Sequence, residues 1–208
     1  MGTRRRRKPR ARWLAPAVVV TASLTVVRHG ATEWSKLGRH TSRTDVPLLP
    51  EGEKEALALE RRLHSKQLTL VLTSPRRRSL DTARLAGFPD AVIDPNLSEW
   101  DYGADEGRTT AEIRVERPDW DAWRDGFVDG EPLDHVATRA DAVIDRALAV
   151  GGDVLIFAHA HFLRILAARW VCLAPTFGRH IALDPATISV LGWYREDRVI
   201  TLWNSRAD

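Results

Sequence analysis

A short apolar run that breaks abruptly into charge constrains this 208-residue chain more than any other feature. Leu24 to Val27 read as a buried β-strand, and Arg28-His29-Gly30 follow at once, then Ala31-Thr32-Glu33-Trp34. A buried strand ending on a cation, an imidazole and a glycine delivers those groups to the carboxyl edge of a sheet, where open α/β sheets bind ligands. An arginine beside a histidine suits a phosphate. The guanidinium offers a planar fork of donors to the oxygens, and the imidazole a nitrogen nucleophile to phosphorus. Gly30 is read as letting the turn bend and the backbone approach a ligand. Taken alone, Arg-His-Gly fits a loop arginine and a capping histidine equally well, so the rest of the chain has to decide.

The rest alternates. Residues 31–49 form a polar loop, and Pro50 opens a helical pattern to about 64 with an apolar face of Ala56, Leu57, Leu59 and Leu63. Leu68 to Thr73 is a second strand with a polar end at Ser74-Pro75, 76–85 a helix closed by Gly87 and Pro89, and 91–93 a short third strand. An amphipathic helix over 135–150 stops at Gly151-Gly152. The near-continuous apolar strand 154–158 follows, as expected where both sheet faces are covered. A helix over 162–171 and strands over 187–194 and 199–203 close the chain. This order predicts an α/β fold: a three-layer α/β/α sandwich around a mostly parallel six-stranded sheet. Residues 97–130 break the alternation with a polar, Trp-rich insertion, read as a functional cap. Its Trp100, Trp120 and Trp123 are read first as a small core of the cap, with a substrate-stacking cage as the alternative.

Composition narrows the partners. Net charge is +3, yet Arg4, Arg5, Arg6, Arg7, Lys8, Arg10 and Arg12 crowd the first 12 residues, and the remaining 24 cations face 28 acids. The folded domain, expected over 23–208, is therefore not predicted to bind nucleic acid. Residues 1–22 are expected to be a disordered basic extension; an export signal, its apolar part interrupted by Pro16, and a polyanion-binding arm are the alternatives. No stretch approaches the roughly 20 apolar residues of a membrane span, and a cytoplasmic location is expected. The single cysteine, Cys172, is read as a buried thiol and excludes an internal disulfide. No metal or other cofactor is expected, since the seven histidines show no ligand spacing beyond His159-x-His161. The sequence leaves the oligomeric state open, a dimer included.

Four strand ends then point to one rim: Arg28-His29 after the first strand, Arg76-Arg77-Arg78 after the second, Glu99 after the third and His159 after the fourth. Two imidazoles, arginine and a carboxylate can neutralise a phosphoryl group, attack it and protonate what leaves. With these residues in view, residues 24 to about 204 resemble the histidine phosphatase, or phosphoglycerate-mutase-like, superfamily. Arg28-His29-Gly30 matches its signature. Ser74-Pro75-Arg76-Arg77-Arg78-Ser79-Leu80-Asp81-Thr82-Ala83 resembles its Ser-Pro-x-x-Arg-Ala-x-x-Thr-Ala segment and singles out Arg78. Leu97-Ser98-Glu99 resembles its acid-donor segment, and Phe157-Ala158-His159 the strand carrying its second histidine. Residues 32–41, Glu99-Trp100-Asp101-Tyr102-Gly103 and 157–164 are similar to the sedoheptulose-1,7-bisphosphatase-like branch.

The resemblance implies a phosphomonoesterase acting on a small phosphorylated metabolite, a sugar phosphate or bisphosphate. It makes His29 the nucleophile, Glu99 the proton donor, and Arg28, Arg78 and His159 the phosphoryl ligands. Ser35, Arg39, Thr41, Tyr102, Ala160 and His161 then contact substrate. Glu106 is the competing donor, His161 a rim residue or a helix cap, and Arg76 and Arg77 a solvated helix face. A phosphoglycerate mutase and a non-catalytic phospholigand- or phosphoprotein-binding module are the rival functions. Three residues depart from the branch pattern: Ser42 and Ala160 replace glycines, and Asp105 stands at an aromatic position, expected to change the shape and charge of the pocket.

Overall fold

The computed structural model describes residues 22–65 and 67–207, so the expected basic extension lies, Ala22 excepted, outside the described residues. Its strands are β1 (Leu24–Arg28), β2 (Leu68–Thr73), β3 (Val92–Ile93), β4 (Asp153–Ala158), β5 (Ile188–Tyr194) and β6 (Asp197–Ser205). Its helices are α1 (Glu33–Lys36), α2 (Pro50–Leu63), α3 (Arg77–Leu85), α4 (Thr110–Glu116), α5 (Ala122–Asp125), α6 (Leu133–Val150) and α7 (Ala160–Trp170). One sheet runs in the order β3-β2-β4-β1-β5-β6. The first four strands are parallel, β5 is antiparallel to β1, and β6 returns against β5 as a hairpin.

Side chains alternate along a strand and so divide the core. Leu24, Val26, Val154, Ile156 and Ala158 pack into one cluster with residues of α6 and α7. Val27, Leu155 and Phe157 pack into a second with Leu59 and Leu63 of α2 and Ala83 of α3. The result is the expected three-layer sandwich. Pro50 supplies the fixed φ of the first turn of α2, and α6 stops where Gly151 turns left-handed at φ 67°.

The insertion's aromatics pack together and join the main core: Trp100, Tyr102 and Trp123 belong to the cluster of α6 and α7, which corrects the expectation of a core of the insertion's own. Trp100 and Trp120 both meet Phe127 edge-on, at 5.1 and 5.3 Å between ring centroids. Trp100, Trp120 and Trp123 are all buried, which favours a packing role over the cage. Asp105 corrects its expectation. It points into the cap, 1% exposed, and both its oxygens accept from Arg117 at 2.6 Å. Its carboxylate is paired inside the cap and does not line the pocket, although its charge acts on His40.

Two further readings change. Cys172 is exposed, because α7 ends before it and the chain turns left-handed there at φ 60°. Gly30 is required by a close approach within the protein: a methyl at its Cα would fall on the carbonyl oxygen of Gly52 in α2.

Candidate active site

Strand order brings the site together. β4 lies between β1 and β2, with Arg28 opposite Ala158 and Thr73 opposite Phe157, so the next residue of each strand emerges on one rim. His29 N donates to Ala158 O at 3.0 Å and Ser74 N to Phe157 O at 3.0 Å, locking the three strand ends. The rings of His29 and His159 stand 5.3 Å apart, nearly edge to face.

His29 Nδ1 lies 2.8 Å from Gly30 O. A carbonyl only accepts, so Nδ1 carries the proton and Nε2 keeps a free lone pair. Burial, then the guanidiniums of Arg78 and Arg28, hold this imidazole well below its usual range and keep it neutral. Burial and Arg78 do the same for His159.

Arg78 has no exposed surface, and its fork donates to three carbonyls of one loop: Nη1 to Thr44 O at 2.9 Å, Nη2 to Thr41 O at 3.0 Å and Ser42 O at 3.2 Å. The amides of that loop are held from the other side. Glu106 accepts from Ser42 N at 2.9 and 3.0 Å and from Thr44 N at 3.1 Å. Glu106 thus holds the loop, and unlike Glu99 it is not among the residues that line the cavity beside His29. Arg28 Nη1 donates to Leu183 O at 2.5 Å, and burial lowers the pKa of both guanidiniums.

Glu99 sits at the start of α7. Its Oε1 accepts from Trp100 N at 2.9 Å and Phe162 N at 2.8 Å, and its Oε2 from His161 N at 3.1 Å. The carboxylate thus satisfies amides that the first turn of a helix leaves unpaired, and Oε2, with a single amide bond, keeps capacity for a proton.

Among the described residues, four buried side-chain nitrogens lack a hydrogen-bond partner: Arg28 Nε, Arg76 Nε, Arg78 Nε and His159 Nδ1. Arg78, Arg76 and Arg28 are each near enough for their charge to act on His159. Buried donors are seldom left unpaired, and cationic N–H groups whose charges act on the second imidazole suit an anion rich in acceptors. Arg76 was expected on a solvated helix face. It lies outside α3, in extended backbone with ψ 135°, and is partly buried, whereas Arg77 is exposed and pairs with Asp81 as expected.

A cavity of about 160 Å³ opens beside His29, Arg28 and Glu99, and Ser35, Arg39, Thr41, Tyr102, Ala160 and His161 all line it. Arg78 and His159 stand behind this lining. Arg39 is held by Gly107 O at 2.5 Å and by Glu112 at 3.3 Å. His161 is the rim residue and not the helix cap, which is His159: it lies in the cavity wall, its Nδ1 2.7 Å from Tyr102 Oη. His40 completes that wall and was missed, since its position in the polar loop carried no signal. Burial pushes His40 down to about 4, holds His161 well below its usual range, and raises the Tyr102 phenol well above its own, so the three rings are uncharged at neutral pH. Ser74 was also missed as a site residue, although it heads a quoted motif. A larger groove of about 420 Å³, past Lys54 and Arg206, contains none of these groups.

The sequence profile of the histidine phosphatase superfamily (branch 1) matches residues 24–206. The chain belongs to this family. The histidine phosphatase is similar to the acid phosphatase of Mycobacterium tuberculosis, 42% identical over 82% of this chain and 86% of the relative. It is also similar to the sedoheptulose 1,7-bisphosphatase of Saccharomyces cerevisiae, 35% identical over 73% and 68% of the two chains. Among solved structures, that of the M. tuberculosis open reading frame Rv3214 superposes with a TM-score of 0.86 at 39% identity, covering 90% of this chain and 99% of the other. Its relatives named as phosphatases, at 42% and 35% identity, support a phosphoric monoester hydrolase. Among its described residues no helix is long and apolar enough to cross a membrane, and no group of three or more His, Cys, Asp or Glu is placed to hold a metal ion.

Proposed function

We propose that this histidine phosphatase hydrolyses a small phosphorylated metabolite, a sugar phosphate or bisphosphate, through a phosphohistidine and without a metal. The free Nε2 of His29, 5.3 Å ring to ring from His159, in the field of arginines that retain unpaired nitrogens, carries this reading. His29 Nε2 attacks phosphorus, and the bond from phosphorus to the ester oxygen breaks. Glu99 gives that oxygen a proton, so the alcohol leaves neutral. The guanidiniums and His159 hold the three non-bridging oxygens, whose charge persists through the transition state. Water then attacks the phosphohistidine, Glu99 takes its proton, and the N–P bond breaks to return the lone pair to His29. The neutral, hydroxyl-bearing wall of Tyr102 and Thr41, with His161, suits a sugar, and Arg39 in the lining suits a second anionic group.

Steady phosphate release from aryl and sugar phosphates, unaffected by EDTA and abolished in His29→Ala, is the expected outcome. Binding without turnover would leave a phospholigand-binding module. Conversion of 3-phosphoglycerate to 2-phosphoglycerate without phosphate release would make the chain a mutase. Vanadate is expected to inhibit, because its five-coordinate form mimics in-line attack.

A further inference from the structure

The two histidines of the site are held differently, and the hydroxyl of Ser74 accounts for the second. Ser74 is fully buried at the end of β2, and its Oγ has two partners. It accepts from Arg76 N at 3.3 Å, a turn of the kind serine forms two residues ahead. It also lies 2.7 Å from His159 Nε2. The amide of Arg76 can only donate, so Oγ still has its own proton to place, and His159 Nε2 is the acceptor within reach. The reverse assignment, with Nε2 protonated, strands the serine proton in a buried site with no acceptor among the described residues. The assignment with O–H donating to Nε2 satisfies both atoms of the pair and puts the remaining proton on Nδ1, one of the four unpartnered buried nitrogens.

We propose that Ser74 is a positioning residue that fixes His159 as the Nδ1–H tautomer, so that a neutral imidazole presents an N–H to the phosphoryl oxygens. The role toward phosphate rests on the phosphatase reading above; the tautomer does not. Both imidazoles then carry their proton on Nδ1 and are turned to opposite use. His29 spends its N–H on Gly30 O and offers a lone pair, while His159 spends its lone pair on Ser74 and offers an N–H. A neutral donor keeps the second ring from adding another cation beside Arg28 and Arg78, and His159 cannot compete with His29 as a nucleophile at Nδ1.

The test is long-range proton–nitrogen correlation NMR on the full chain labelled with 15N-histidine, with His159 assigned by its loss in His159→Gln. Nδ1 is expected in the protonated, pyrrole-like range and Nε2 in the unprotonated, pyridine-like range, with Nδ1 shifting when inorganic phosphate or vanadate is added. A pyrrole-like Nε2 overturns the proposal. In Ser74→Ala the two nitrogens should move toward averaged shifts and kcat/KM should fall about 10- to 100-fold, the usual scale when a partner that orients a histidine is removed. Ser74→Thr, which keeps the hydroxyl, should restore both. If Ser74→Ala does not fold, the spectrum of the unaltered chain decides alone. A chain with the expected spectrum that hydrolyses no phosphate ester would sink the phosphatase reading and leave the tautomer standing.

Discussion

At the scale of the residue, burial sets the protonation of this site before any substrate arrives. His29 lies under two guanidiniums and is 5% exposed. Its ring is therefore expected to stay neutral as the pH falls from 8 to 5.5, across the midpoint near 6.5 at which an ordinary imidazole titrates. The carbon-bound proton shifts of His29 check this directly, and a midpoint near 6.5 would contradict it. Two glutamates near the pocket both hold backbone amides and are separated by where they face. Glu99 lines the cavity, whereas Glu106 holds the Ser42 and Thr44 amides and does not. Glu99→Gln is expected to slow alkyl phosphate turnover by about 10²- to 10⁴-fold, the usual worth of a general acid–base. With aryl phosphates, whose leaving groups need little help, the same variant should give a burst and accumulate phosphohistidine. Glu106→Gln should keep steady aryl phosphate turnover with no such accumulation. Trapping in Glu106→Gln and not in Glu99→Gln would exchange the two roles.

At the scale of the element, the cap is joined to the main core through Trp100, Tyr102 and Trp123 and carries a buried charge of its own. Asp105 is its inner anchor, facing Arg117 at 2.6 Å and Arg108 at 3.4 Å. Removing one partner of a buried pair leaves the other uncompensated. Arg117 is 31% exposed, which discounts the effect. Asp105→Ala is expected to cost about 2 kcal/mol, a fall in Tm of about 4 to 8 °C for a domain of this size. Relative kcat/KM across a panel of sugar phosphates should not change, because Asp105 does not line the cavity. A reordered panel with an unchanged melting curve would restore the reading of Asp105 as a pocket residue. Sequence periodicity misplaced Arg76 for an element-scale reason. The helix begins one residue later than the arginine run suggests, and a residue in extended backbone does not share the face of the helix it precedes.

At the scale of the whole molecule, four histidines are held neutral by burial: His29, His40, His159 and His161. Each has its folded pKa below the unfolded value, so the unfolded chain takes up more protons as the pH drops below about 6.5. Their contribution to stability is full above that pH and is lost as the pH falls through 6.5 toward the folded values. For His40, whose folded value is about 4, the loss reaches on the order of 3 kcal/mol at the bottom of that window. Thermal melts should therefore show a lower Tm at pH 5.5 than at pH 8. A Tm that holds or rises over that interval would contradict the neutral assignment.

What the linear chain determined by itself is local. Apolar runs with polar ends made the strands, the spacing of Ala56, Leu59 and Leu63 made the face of α2, and the arginine, imidazole and carboxylate chemistry was legible at each strand end. Those features depend on neighbours within a few residues, and periodicity reports them. Only the tertiary structure decided that β4, more than a hundred residues after β1, inserts between β1 and β2 and sets His159 beside His29. It alone placed Gly52 against Gly30, turned Asp105 into the cap, and hung Ser74 on the second imidazole. Such contacts join residues distant in sequence, where no local spacing carries the information. Burial, which sets the charge of every group in the site, exists only once the layers have closed.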